Sequence, residues 1–313
     1  MERSKVLTRV VLITTAVTVA ALGIAALIGL ATGGFRTGQF GGRGYTVDER
    51  KTLPLAGIDT IVIDGVSEDV RIVDGTGDSL EAWLHGTVGA GSATTLPRLI
   101  TERSGSTLTV RVDRDRQIGF GYFWSNVVLD VGVPKGYAQK ISVKTVSGDV
   151  KVADHTYAGL ALSTTSGDAE VGAVGAQEFS MHTTSGTMKA ASVSADRSDF
   201  SSTSGDVRVQ SLTGDATLHT TSGDMTVAFA ASPSRVDASS TSGQVTLRMP
   251  SNAQFVLDAH STSGDISCRF PITISQSATG GGRHALAGTV GGPGGTPGQV
   301  AVRTVSGDIH IED

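Results

Sequence analysis

Eight Ser-Gly pairs recur along this chain. They stand at Ser147-Gly148, Ser166-Gly167, Ser185-Gly186, Ser204-Gly205, Ser222-Gly223, Ser242-Gly243, Ser263-Gly264 and, after a longer gap, Ser306-Gly307. The first seven are about 19 residues apart. A fixed period near 20 residues marks stacked copies of one small unit, none of which can bury its apolar face alone. Three columns, counted from each motif Ser, are wholly apolar. Three places after it stand Val150, Ala169, Met188, Val207, Met225, Val245, Ile266 and Ile309. Five places after stand Val152, Val171, Ala190, Val209, Val227, Leu247, Cys268 and Ile311. Four places before stand Val143, Leu162, Met181, Phe200, Leu218, Ala238, Ala259 and Val302. The positions between them are polar, which is the period-two alternation of strands on either side of a turn. Each unit therefore reads as strand, Ser-Gly-Asp turn, strand and a looser second turn, exemplified by Thr213-Gly214-Asp215. The motif Gly is expected to supply a positive φ, and Asp and Ser to cap free backbone N–H groups locally.

The rest of the chain fits this scaffold. Gly is abundant at 41 residues, and charged and aromatic residues are sparse at 18% and 5%. That suits tight turns and thin β-coils, and 313 residues allow one or two domains. A net charge of −5 with no basic block argues against a nucleic-acid partner. The single Cys268 cannot form an intrachain disulfide and reads as a small apolar residue of its column. Residues 10–31 run without a charge behind Arg3, Lys5 and Arg9. Their 22 residues suffice for a membrane-crossing helix with residues 1–9 in the cytoplasm. The rival reading is a cleaved signal peptide, with Gly29 and Ala31 at the cleavage site. Either way, the chain beyond residue 31 is exported.

Residues 32–46 read as a Gly-rich linker and 47–139 as an N-terminal β region of the solenoid. There Ser67-Glu68-Asp69-Val70 looks like a degenerate motif, and a short turn near Thr94–Arg103 is the only hint of helix. Residues 140–277 form the regular repeat. Residues 278–298 are too rich in Gly and Pro for a coil and read as a surface loop, before a final coil over 299–313.

For chemistry, the motif carboxylates come first: Asp149, Asp168, Asp206, Asp224, Asp265 and Asp308, with Thr187 and Gln244 in the other two turns. Turn capping is one reading. The other is calcium between stacked carboxylates, with Asp149, Asp168, Asp206, Asp224 and Asp265 as candidates. One carboxylate per coil is fewer than a tight calcium site uses. The Ser/Thr column two places before the motif (Thr145, Thr164, Thr183, Ser202, Thr220, Ser240, Ser261, Thr304) suits ladder hydrogen bonding; an ice- or mineral-binding array would need it to face solvent. The seven His lack ligand spacing, and His182, His219 and His260 read as exposed strand residues. No nucleotide, zinc or nucleophile motif is present, so the chain reads as non-enzymatic and without a cofactor. Phe120, Tyr122, Phe123 and Trp124 make an aromatic cluster, either a patch for an envelope protein, glycan or bilayer or a cap over the end of the stack.

The block Val127–Gly136 (VVLDVGVPKG), then Lys140–Val152 (KISVKTVSGDVKV), then serial TTSGD units resembles the bacterial "putative adhesin" family of membrane-anchored envelope proteins with SGD-V-x-V strand repeats. The resemblance covers about residues 55–313. It implies an extracytoplasmic β-solenoid and carries no catalytic residues. The sequence thus predicts an all-β, mainly parallel β-solenoid behind one N-terminal transmembrane helix. Its expected role is envelope scaffold or adhesin. The alternatives are a stress- or ligand-sensing accessory with an envelope partner, and a polysaccharide-active β-helix enzyme.

Overall fold

A computed structural model describes residues 43–90, 96–113, 123–274, 284–292 and 296–313. The expected membrane helix at 10–31 and cytoplasmic residues 1–9 lie outside the described residues. No helix among the described residues is long and apolar enough to cross a membrane.

Strands account for the architecture. The N-terminal region holds β1 (Arg43–Pro54), β2 (Thr60–Asp64), β3 (Asp69–Gly75), β4 (Ser79–Ala90), β5 (Arg98–Ser104), β6 (Thr107–Asp113) and β7 (Phe123–Pro134). The repeat begins with β8 (Lys140–Lys144), β9 (Val150–Val152), β10 (His155–Thr156), β11 (Gly159–Thr164), β12 (Ala169–Thr183), β13 (Met188–Ser202) and β14 (Val207–Thr220). It continues with β15 (Met225–Phe229), β16 (Arg235–Ser240), β17 (Val245–Arg248), β18 (Phe255–Ser261) and β19 (Ile266–Cys268). Last come β20 (Ile272–Thr273), β21 (Ala285–Val290), β22 (Gly298–Thr304) and β23 (Ile309–Glu312).

Parallel pairing stacks the repeat in the expected register. Val150, Ala169, Met188, Val207, Met225, Val245, Ile309 and Ile266 are successive partners in one ladder. Val143, Leu162, Met181, Phe200, Leu218, Ala238, Val302 and Ala259 form another. Nearly all of these side chains are buried, and Phe179, Phe200 and Phe255 are the bulkiest of the fully buried ones. Each fully buried aliphatic or aromatic side chain contributes about 1.5–3 kcal/mol. The degenerate copy joins the stack: Val70 and Ile72 pair with Val150 and Val152.

Four local expectations are corrected. Residues 43–46, at the end of the expected linker, already belong to β1, which runs antiparallel to β4. The helical hint near Thr94–Arg103 gives way to β5, antiparallel to β6; the alternating edge of β6 recruits a strand where local sequence is ambiguous. Within the expected 278–298 loop lies β21, which pairs antiparallel with β18 and β20. The otherwise bare edge of β18 favours a strand there despite Gly288. The motif glycines do not take a positive φ. Among the described residues, left-handed glycines are Gly57, Gly77, Gly86, Gly105, Gly214 and Gly291.

The larger correction concerns rung order. The final coil does not end the stack. β22 lies between β16 and β18, and β23 between β17 and β19. The N-terminal end does the same: β2 lies between β6 and β8, and β3 between β7 and β9. All coils carry the same inward columns, so a coil can pair equally well with one that is not its sequence neighbour.

Candidate functional surface

The Ser-Gly-Asp corners stack into one continuous edge of the solenoid, and each motif position has its own task. The glycine is set by close approach. A Cβ on Gly167 would collide with the carbonyl of Gly148, one on Gly186 with Gly167 and one on Gly205 with Gly186. The series continues past the rung inversion, with Gly307 against Gly243 and Gly264 against Gly307. The Ser/Thr column two places before the motif is buried. Its hydroxyls accept the motif Gly N–H in seven turns, at 2.7–3.3 Å. In the eighth, the Thr304 hydroxyl donates to the Gly307 carbonyl at 2.7 Å. Facing the core, this column is closed to an ice or mineral surface.

The carboxylates cap the neighbouring coil rather than their own turn. Asp69 Oδ1 accepts the Asp149 N–H, Asp149 that of Asp168, and Asp168 that of Thr187, at 2.8–3.0 Å. Asp206 accepts from Asp224, Asp224 from Gln244, and Asp308 from Asp265, at 2.8–3.0 Å. The calcium candidates Asp149, Asp168, Asp206, Asp224 and Asp265 thus stand one per coil. Four of them already accept a backbone N–H. Among the described residues, no group of three or more His, Cys, Asp or Glu is placed to hold a metal ion. The structure does not bring the sequence-predicted ligands together. In the degenerate copy, Glu68 replaces the glycine, and its buried carboxylate accepts the N–H groups of Val66 and Ser67 at 3.0 and 3.1 Å.

Outside the edge's capping bonds lie the exposed motif serines and a solvent-side column of Val146, Thr165, Thr184, Thr203, Thr221, Thr241, Val305 and Thr262. Their backbone ladder continues through the bend, as in Ser166 N–H to Val146 C=O at 2.8 Å and Ser204 N–H to Thr184 C=O at 2.8 Å. This presents hydroxyls at the strand spacing of about 4.8 Å. Exposed His182, His219 and His260 lie on the strands beside it. Burial pushes the half-buried Cys268 thiol above its ordinary range, away from nucleophilic use.

Phe120 and Tyr122 lie outside the described residues. Phe123 and Trp124 open β7, where their backbones pair with Ala90 and Gly89. A second aromatic feature escaped the sequence reading. On β1, β4 and β7, the Arg50 guanidinium lies 4.0 Å from the Trp83 ring, which stacks on the His85 imidazole at 3.9 Å. The Trp83 indole N–H donates to Asp48 at 2.7 Å, and His85 Nε2 lies 2.9 Å from Asp130 Oδ2. The signal was Trp and His alternating on one face of β4, but their partners are 35 and 45 residues away.

The opposite corner is looser. Its shallow hollows measure about 440 Å³ beside Asp196 and Asp215, about 530 Å³ beside Pro233 and Gln299, and about 590 Å³ beside Asn252 and Phe270. Asp215 is already engaged by the Arg235 N–H at 2.9 Å.

Residues 58–312 match the family model described as Toastrack DUF4097. No match was found among curated proteins. Solved structures show a likeness at low identity. A "putative adhesin" from Bacteroides fragilis is 13% identical, covers 89% of this chain and 100% of its own, and has a TM-score of 0.48. One from Parabacteroides merdae is 12% identical over 87% of this chain and 97% of its own, with a TM-score of 0.45. A "Putative lipid binding protein" from Parabacteroides distasonis is 14% identical over 87% and 98%, with a TM-score of 0.47.

Proposed function

The chain belongs to the Toastrack DUF4097 family, and from that premise we propose that it is a non-enzymatic display module, a rigid β-coil tethered by residues 10–31 and held outside the cell membrane. The observation that supports this most is the hydrogen-bonded corner. Buried hydroxyls and inter-coil carboxylates take up the turn's polar groups and leave outward a regular column of Ser and Thr. Such an edge is suited to repeated weak contacts along an extended partner, where avidity replaces a deep pocket. Crosslinking in intact cells, followed by identification of attached proteins or glycans, tests this reading. Capture of envelope polymer along the corner supports it. A chain protected from external protease, with only cytoplasmic partners, would end it.

A second reading, that of an accessory subunit bound to one envelope protein, draws on the aromatic and charged surface of the antiparallel end, where Arg50, Trp83 and His85 stack. A pull-down with Phe123→Ala and Trp124→Ala separates the two. A single-partner accessory loses its partner in the double variant, whereas a display module keeps its crosslinks.

A further inference from the structure

The inserted coil at the C-terminal end has a consequence for how the molecule comes apart. In a simple solenoid the last coil in sequence is the outermost rung, held along one edge only, and it frays first. Here the last coil, β22 and β23, has a parallel partner on each side. Its Val300, Val302, Ile309 and Ile311 are fully buried, while Ile266 and Cys268 in the outermost coil are only part-buried. Polar ties run both ways. Glu312 reaches Arg248 at 3.0 Å in one neighbouring coil and Arg269 at 3.7 Å in the other. Arg303 meets Asp258 at 3.2 Å, and His310 Nδ1 lies 2.7 Å from Ser267 Oγ. The Gly307 backbone is wedged between those of Gly243 and Gly264.

We infer that this coil is a clasp, which makes local stability run against sequence order: residues 298–312 stay closed after residues 266–273 have opened. To leave, β22 and β23 must break ladders on both edges at once. β19 has one ladder to break, because among the described residues it pairs only with β23. The clasp thereby holds residues 298–312 against unravelling that starts in the outer coil.

Hydrogen exchange read by mass spectrometry on the full-length chain tests this directly. Amides of residues 299–304 and 309–312 should exchange within about threefold of those in β13, and about tenfold or more slower than those of 266–273. Exchange that is fastest at 309–312 and slows steadily inward would overturn the clasp. Two variants sharpen the reading. Gly307→Val should speed exchange in both flanking coils, 235–248 and 255–268. Gly264→Val should speed it only in the outer coil. Equal patterns from the two variants would also overturn it, and the unmodified chain decides the matter should either variant fail to fold.

Discussion

Gly186 illustrates how a repeat position is set by its neighbour in space. Its φ is not left-handed, so backbone freedom is not what selects glycine. A Cβ there would strike the Gly167 carbonyl and crowd the Thr183 hydroxyl that caps the turn. Gly186→Ala should therefore cost about 3 kcal/mol, at the upper end of overpacking, and denaturant midpoints would show it. A loss below about 0.5 kcal/mol, the size of an ordinary surface change, would mean the coils separate freely at this corner. The carboxylate ladder gives the opposite experiment. It is interrupted at Thr187 and Gln244, where no carboxylate is offered to the N–H groups of Asp206 and Asp308. Thr187→Asp should extend it and add about 1 kcal/mol, seen as a rise in Tm of about 2–4 °C. A fall in Tm would show that repulsion along the column outweighs the added bond. Sequence alone pointed to Gly and Asp at the turn, yet it suggested local reasons for both. The true partners are one coil away, and a one-dimensional pattern lists neighbours along the chain only.

At the level of elements, the legible and the hidden differ by the range of their causes. The strands of the repeat alternate residue by residue, and five of the seven N-terminal strands show the same pattern. β5 and β21 did not, because pairing to an already formed edge makes them strands. The stack of Arg50, Trp83 and His85 was hidden because register, set by β1 against β4, assembles it. Register also places Glu312 of β23 beside Arg248 of β17. The Arg248 hydrogen bond, more than the nearby charges, holds the Glu312 carboxyl below its ordinary value of 4.5. The lowered folded value means that this carboxylate's stabilising contribution is complete above pH 4.5 and is lost as pH falls through the folded pKa. Thermal melts of wild type and Glu312→Gln from pH 7 downward should show a wild-type advantage that narrows below about pH 4.5. A gap independent of pH would remove Glu312 from the contacts that hold β23.

For the whole molecule, the inward columns announced a stack of coils, but not the order in which the coils lie. Order is invisible because the columns are alike: Ile309 fits against Val245 as well as Ile266 would. The same likeness makes the centre of the stack tolerant of length. From the coil of Val150 to that of Val207, register advances by 19 residues per rung, falling to 18 only beyond the irregularity between Ser194 and Arg197. Deleting Ser166–Thr184, one full period, joins Thr165 to Ser185 and sets Val150 against Met188, with Gly148 beneath Gly186. The shortened chain should fold with the wild type's β signature in circular dichroism. Small-angle scattering should find it shorter by one strand spacing, about 4.8 Å. Its Tm should fall by only a few degrees, because nearest-neighbour interfaces are re-formed and one coil's contribution is lost. Deleting Ser166–Val174, about half a period, should instead turn apolar columns outward and abolish folding. Equal damage from the two deletions would mean that the coils are not interchangeable rungs, and that the order at the two ends depends on features of individual coils rather than on the columns they share.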